Sequence, residues 1–135
     1  MFRIYNSETG ALVKEVRRGT THRTINHLAF DKYSHYLVAC SDADKIHVFK
    51  VSQQQQQANS GGLLSWGTSW MPAQLKDEYS FAYFCVEPSK VGPVFALLNT
   101  DYMHVLSKKD YYCKVEMSAQ GGELKKDQEE PLLYN

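Results

Sequence analysis

The chain has no net charge: 15 Lys and Arg balance 15 Asp and Glu over 135 residues. That balance gives the molecule as a whole no bias towards polyanions and argues against a nucleic-acid partner. A long apolar run is also missing. No window approaches the roughly 18 apolar residues that a membrane helix needs, so membrane contact is expected to be peripheral. Cysteine is scarce. Cys40, Cys85 and Cys113 lie far apart, form no metal-type pair and sit in apolar, strand-like stretches. Buried reduced thiols in a cytosolic protein are the expected outcome. The opening MFRIYNSETG lacks the basic-then-apolar pattern of a secretory signal. There is no paired nucleophile and base, no metal-ligand cluster and no glycine loop that would cradle phosphates. The expectation is therefore a binding protein without a cofactor, not an enzyme.

What is present is strand. Hydrophobic residues make up 43% and aromatics 13%, a globular composition. Phe2 to Tyr5 alternates, Asn6 to Gly10 turns the chain, and Ala11 to Val16 alternates again. Ile25 to Phe30, Tyr36 to Cys40 and Ile46 to Val51 follow, separated by polar turns such as Asp31-Lys32-Tyr33-Ser34 and Ser41-Asp42-Ala43-Asp44. Further strands are expected at about 80–86, 94–98, 103–107 and 111–117. Between them, residues 52–62 hold a glutamine run followed by Ala-Asn-Ser-Gly-Gly. That composition cannot build a core and is expected to form a mobile loop.

Short strands at even spacing, in units of about 40–45 residues, are the sequence signature of propeller blades. The predicted fold class is all-β, with antiparallel four-stranded WD-type blades. Residues 1–19 would end one blade, 20–78 form a second with its loop at 52–70, and 79–117 form the last. Residues 118–135 would be a polar tail. This amounts to about two and a half blades, where complete propellers have about 4–8. A piece of a longer protein, a truncated product and a chain completed by oligomerisation all remain open.

Charge is uneven along the chain. Residues 1–50 carry eight Lys and Arg against five acids, and four of the five histidines, namely His22, His27, His35 and His47. The sharpest feature there is Arg17-Arg18-Gly19. Adjacent residues at a strand end point to opposite sides, so two guanidinium forks can serve two separate anion sites. Gly19 lets the backbone turn at once. An ordinary solvated arginine pair is the plainer reading of the tripeptide taken alone. His47 and His104 sit mid-strand, where a structural histidine is the commoner case. Ser41-Asp42 is equally a turn that bonds its own backbone.

Several segments together resemble the PROPPIN family, the phosphoinositide-binding WD-repeat propellers of autophagy. Phe2-Arg3-Ile4-Tyr5, Thr9-Gly10 and Leu12 to Thr20 resemble the stretch ending in the family's FRRG or LRRG motif, with Val16 in place of the usual Phe or Leu. Ile25 to Phe30 resembles the strand after it. Ser41 to Phe49 resembles the SDKGTxHxF segment, with Asp44 where Gly is common and Lys45 where Thr is common. Glu78 to Phe84 resembles the E-[WY]-SFAxF segment at the start of the last blade. Tyr111-Tyr112 and Gly121-Gly122-Glu123 also have counterparts.

The resemblance implies a partial seven-bladed propeller. It also implies binding of phosphatidylinositol 3-phosphate and phosphatidylinositol 3,5-bisphosphate during autophagosome formation. Arg17, supported by Arg3, would serve one head-group site. Arg18, with Ser41, Lys45 and His47, would serve the other, and Gly19 completes the motif. Leu63, Leu64, Trp66 and Trp70 would belong to a membrane-inserting loop, where indole rings suit head-group depth. The implied partners are phosphoinositide membranes and autophagy proteins. The implied location is the cytosol, and peripherally the phagophore assembly site, endosomal or vacuolar membranes. The alternative is a protein-interaction WD-repeat scaffold without lipid binding.

Overall fold

In a computed structural model, residues 1–51, 79–87, 93–108 and 111–131 are described. These segments contain strands and turns and no helix. The strands are β1 (Phe2–Tyr5), β2 (Leu12–Val16), β3 (Ile25–Phe30), β4 (Tyr36–Ser41), β5 (Lys45–Lys50), β6 (Ala82–Cys85), β7 (Val94–Leu98), β8 (Tyr102–Ser107), β9 (Tyr111–Glu116), β10 (Gly122–Glu123) and β11 (Lys126–Pro131). They form three sheets: β1-β2, then β10-β6-β5-β4-β3, then β11-β9-β8-β7. All pairings are antiparallel except β10 on β6. The fold is that of β-propeller blades, as expected.

The turns follow from their residues. Asn6 Oδ1 accepts from the backbone N–H of Glu8 and of Thr9, bending the chain between β1 and β2. Asp31 does the same between β3 and β4, with Oδ1 accepting from Tyr36 N at 2.7 Å. Ser34 takes the positive φ of 57° that this tight reversal requires.

Alternation along the strands builds two cores. Val38, Cys40, Ile46, Val48, Ala82 and Phe84 of the second sheet meet Ala96, Met103, Val105, Cys113 and Val115 of the third. The opposite face of the second sheet presents Leu37, Ala39 and Phe49 to Ile4 and Val16 of the first. The second sheet thus packs on both faces among the described residues, and stacking is what holds the sheets together.

The sheet boundaries differ from those expected. The last blade is expected over 79–117, yet β6, at its start, pairs with β5, with Ile46 opposite Phe84 and His47 opposite Tyr83. The expected unit thus takes in β6, which the fold gives to the sheet before it, and omits β11, which completes the sheet of β7, β8 and β9. The alternation of β6 fits either neighbour, so it is silent on the boundary. One consequence is that His47 lies on the third strand of its sheet and His104 on the second of its own. The tail also differs. Residues after 117 form β10, which adds to the second sheet, and β11, which completes the third. β11 reads KDQEEP and is almost wholly exposed, so it carries no apolar alternation. Its strand form comes from backbone pairing with β9.

Candidate phosphate-binding site

β1 and β2 aim the two arginines. Phe2 pairs with Val16, Arg3 with Glu15 and Ile4 with Lys14. Ile4 and Val16 are buried against the second sheet, so their side of the pair faces inward and the Arg3–Glu15 side faces out. Arg17 follows on the outward side and is exposed; Arg18 follows Val16 on the inward side and is half-buried. The divergence expected of adjacent arginines is therefore built in. Gly19, with φ of 152°, turns the chain directly after them.

Arg18 enters a mixed-charge corner. Burial lowers its pKa, Arg23 lowers it further, and Asp42 and Asp44 oppose both. Its Nε is buried without a hydrogen-bond partner. A buried N–H of this kind is costly unless something accepts from it. His47, on the same side of the second sheet as Ala39 and Phe49, shares this corner. Burial first, then Arg18 and Lys45, push its pKa down to about 4, with Asp44 acting the other way. The ring is thus neutral at physiological pH. It stacks on Phe49 at 6.2 Å between centroids, and its Nδ1 lies 3.1 Å from Ser80 Oγ. Lys45, the exposed first residue of β5, holds its Nζ 4.9 Å from the Tyr83 ring centroid.

Ser41 is 2% exposed, and its Oγ accepts from Ala43 N at 3.2 Å. The self-bonding turn is thus realised, and Asp42 N donating to Thr24 O at 3.0 Å ties it to the segment after Gly19. Ser41 retains a hydroxyl proton for another acceptor. Arg3 lies elsewhere. It is bound to Glu15 through Nε at 2.8 Å, on the outward face with Arg17. The hydrogen bond to Glu15 raises its pKa.

The structure therefore gathers Arg18, Lys45 and His47 into one corner and puts Arg3 on the other side of the first sheet with Arg17. Leu63, Leu64, Trp66 and Trp70 lie outside the described residues, as does the loop at 52–62. Two participants were not singled out from sequence. Arg23 is visible only as one more base in a basic stretch, and Ser80 lies 33 residues from the histidine it touches. His104 makes a structural contact, with Nδ1 2.8 Å from Tyr112 Oη. Among the described residues, no three His, Cys, Asp or Glu side chains come together to hold a metal ion. What the corner offers chemically is a set of cationic and N–H donors for an anion, moderated by two carboxylates.

No family model matches the chain. Among curated proteins it is 34% identical to Autophagy-related protein 18 of Kluyveromyces lactis over 65 residues, covering 48% of this chain and 13% of that protein. It is 29% identical to Autophagy-related protein 18 of Caenorhabditis elegans over 110 residues, covering 80% of this chain and 25% of that protein. The chain thus spans 13% to 25% of the length of these relatives. Among solved structures, Hsv2 of Kluyveromyces lactis superposes with a TM-score of 0.71 at 18% identity, covering 97% of this chain and 40% of that one. KlAtg21, solved in complex with the coiled coil of AgAtg16, superposes with a TM-score of 0.65 at 14% identity, covering 94% of this chain and 32% of that one.

Proposed function

We propose that this chain, a relative of the PROPPIN propellers, is a peripheral membrane-binding module for phosphatidylinositol 3-phosphate and phosphatidylinositol 3,5-bisphosphate, acting in autophagosome formation. The observation that carries the reading is the Arg18 corner. A half-buried guanidinium has an Nε–H without an acceptor, and it sits beside Lys45, Arg23 and a neutral His47. A phosphate there would satisfy the buried donor and offset the mutual repulsion of the cations. Arg17 and Arg3, on the outward face, would form a second and more open basic position, with Gly19 turning the chain after the arginine pair. Ser41, two residues beyond the Ala39 that pairs with His47, would contribute its hydroxyl.

Membrane retention would come from Leu63, Leu64, Trp66 and Trp70 inserting beside the head groups. Two weak anchors used together hold far better than either alone. The module would work in the cytosol and peripherally on the phagophore assembly site, endosomal or vacuolar membranes. Its protein partners would be other autophagy proteins, a role consistent with the KlAtg21 complex with the AgAtg16 coiled coil.

The test is sedimentation with liposomes containing or lacking phosphatidylinositol 3-phosphate. Each guanidinium–phosphate hydrogen bond contributes roughly 1.5–3 kcal/mol, so Arg17→Thr with Arg18→Thr should weaken binding about a hundredfold or more. Stability should change little, because Arg17 is exposed and the buried Arg18 Nε–H has no acceptor to lose. Trp66→Ala should weaken retention on liposomes while leaving soluble head-group binding intact. Equal binding by the doubly substituted protein would overturn the phosphoinositide reading and favour the protein-interaction scaffold.

A further inference from the structure

The hydrogen bond between His47 and Ser80 raises a question that the charges around it do not answer. A neutral imidazole has one N–H and one bare nitrogen, and the partner of one nitrogen decides which is which. Towards an anion only the N–H edge is useful; the bare edge repels. His47 Nδ1 is 3.1 Å from Ser80 Oγ, while Nε2 makes no hydrogen bond among the described residues. Arg18 Nε, an orphaned donor in the same corner, is not bonded to the ring.

We propose that Ser80 is a positioning residue for the phosphate site: its hydroxyl donates to His47 Nδ1, which leaves the proton on Nε2 and turns that edge into a donor for a phosphate oxygen. The inference rests on the phosphoinositide reading above and names a residue that acts through another.

Three features make Ser80 suited to this. A hydroxyl can rotate to donate as well as to accept, so it can satisfy the bare nitrogen. The backbone on its C-terminal side is held firmly. Phe81 N donates to Val48 O at 2.8 Å, and Gly122 N donates to Phe81 O at 2.9 Å. The ring is held as well, stacked on Phe49, which is fully buried. With ring and hydroxyl both fixed, the tautomer is set before any ligand arrives, and the site loses no free energy in reorganising.

The experiment uses the whole chain, with Ser80→Ala and the conservative Ser80→Thr beside the parent. Long-range ¹H–¹⁵N spectra of the histidines read the tautomer directly. Titration with soluble short-chain phosphatidylinositol 3-phosphate reads affinity, and inorganic phosphate serves as a second ligand to separate a lipid head group from a free anion. The parent should show His47 protonated at Nε2. Ser80→Ala should show a mixture of tautomers and bind the head group about fivefold more weakly, the worth of one neutral hydrogen bond. Ser80→Thr should restore both. If Ser80→Ala keeps the parental tautomer, or binds as tightly as a parent that does bind, the inference falls alone. If only inorganic phosphate binding responds, the lipid part of it falls. A parent that binds no head group overturns the phosphoinositide reading, and this inference with it.

Discussion

Acidification should destabilise this protein through His47 in a window that its surroundings define. The pKa is pushed from 6.5 down to about 4 by burial and by the charges of Arg18 and Lys45. In the unfolded chain the imidazole takes up a proton as pH falls through 6.5; in the folded chain it does not until near 4. The unfolded state thus binds more protons across that interval, and stability rises with pH there. At about 1.36 kcal/mol per unit, the difference between pH 7 and pH 4.5 comes to about 2–3 kcal/mol. That is a large part of the roughly 5–15 kcal/mol of a typical domain. Urea unfolding followed by far-ultraviolet circular dichroism at half-unit steps from pH 7.5 to 4.5 measures it. Carboxylates also begin to titrate at the low end, so the parent is compared with His47→Asn, which shares all of them. The parent should lose about 2–3 kcal/mol more than His47→Asn over that range. Parallel pH profiles for the two proteins would refute the claim that His47 is buried neutral among cations.

Other outcomes follow from individual contacts. A Cβ on Gly121 would lie 2.2 Å from the carbonyl oxygen of Phe81, at a φ of +74°. The conformation alone costs an L-residue about 1–2 kcal/mol, so Gly121→Ala should lower stability by at least about 2 kcal/mol in thermal melts. Phe49 is fully buried between the first and second sheets, and Phe49→Ala should cost about 3–5 kcal/mol, with amide exchange in β1 and β2 accelerating first. Asp44 opposes the cations at Arg18 and His47, so Asp44→Gly should tighten soluble head-group binding by about fivefold and should not weaken it. Burial pushes the Cys40 thiol up to about 12, while Cys85 is partly exposed. A thiol-reactive dye should therefore label Cys85 in the native protein and reach Cys40 only on unfolding.

Local pattern and tertiary pairing were unequally legible in the sequence. Val94–Leu98 is bounded to the residue, because an unbroken apolar run lies between Gly92-Pro93 and Asn99-Thr100-Asp101. Ile25–Phe30 and the divergence of Arg17 from Arg18 were legible as well, because strand geometry alone decides them. The neighbour of β6 was not, since pairing between strands separated by a long segment leaves no mark in either. β11 was invisible because nothing in Lys126–Pro131 favours a strand except the edge of β9 beside it. At the site, residue types and a resemblance pointed to Arg18, Lys45 and His47, which the fold does bring together. Arg3 was grouped by resemblance, and the fold pairs it with Glu15. Ser80 could be found only through the pairing of β5 with β6, which carries it back to His47.

The path of residues 118–131 bears on how the molecule comes to be made. Leaving β9, this segment crosses to the second sheet, where Leu124 is buried and its N–H donates to Tyr83 O at 2.8 Å. Lys126 then reaches Glu87 at 3.7 Å before β11 returns to cover β9. A nascent chain that has emerged only as far as residue 117 has β1 to β9 in hand, with the outer edges of β6 and β9 uncovered. Both sheets would wait, with open backbone, for residues 118–131. Gly122 must find Ala82, and a contact so distant in sequence is slow to form. The interval is when association with another chain's strand is most probable. A slow codon or a premature stop in this short polar stretch would therefore act on two sheets together, although the stretch itself contributes one buried apolar side chain, Leu124.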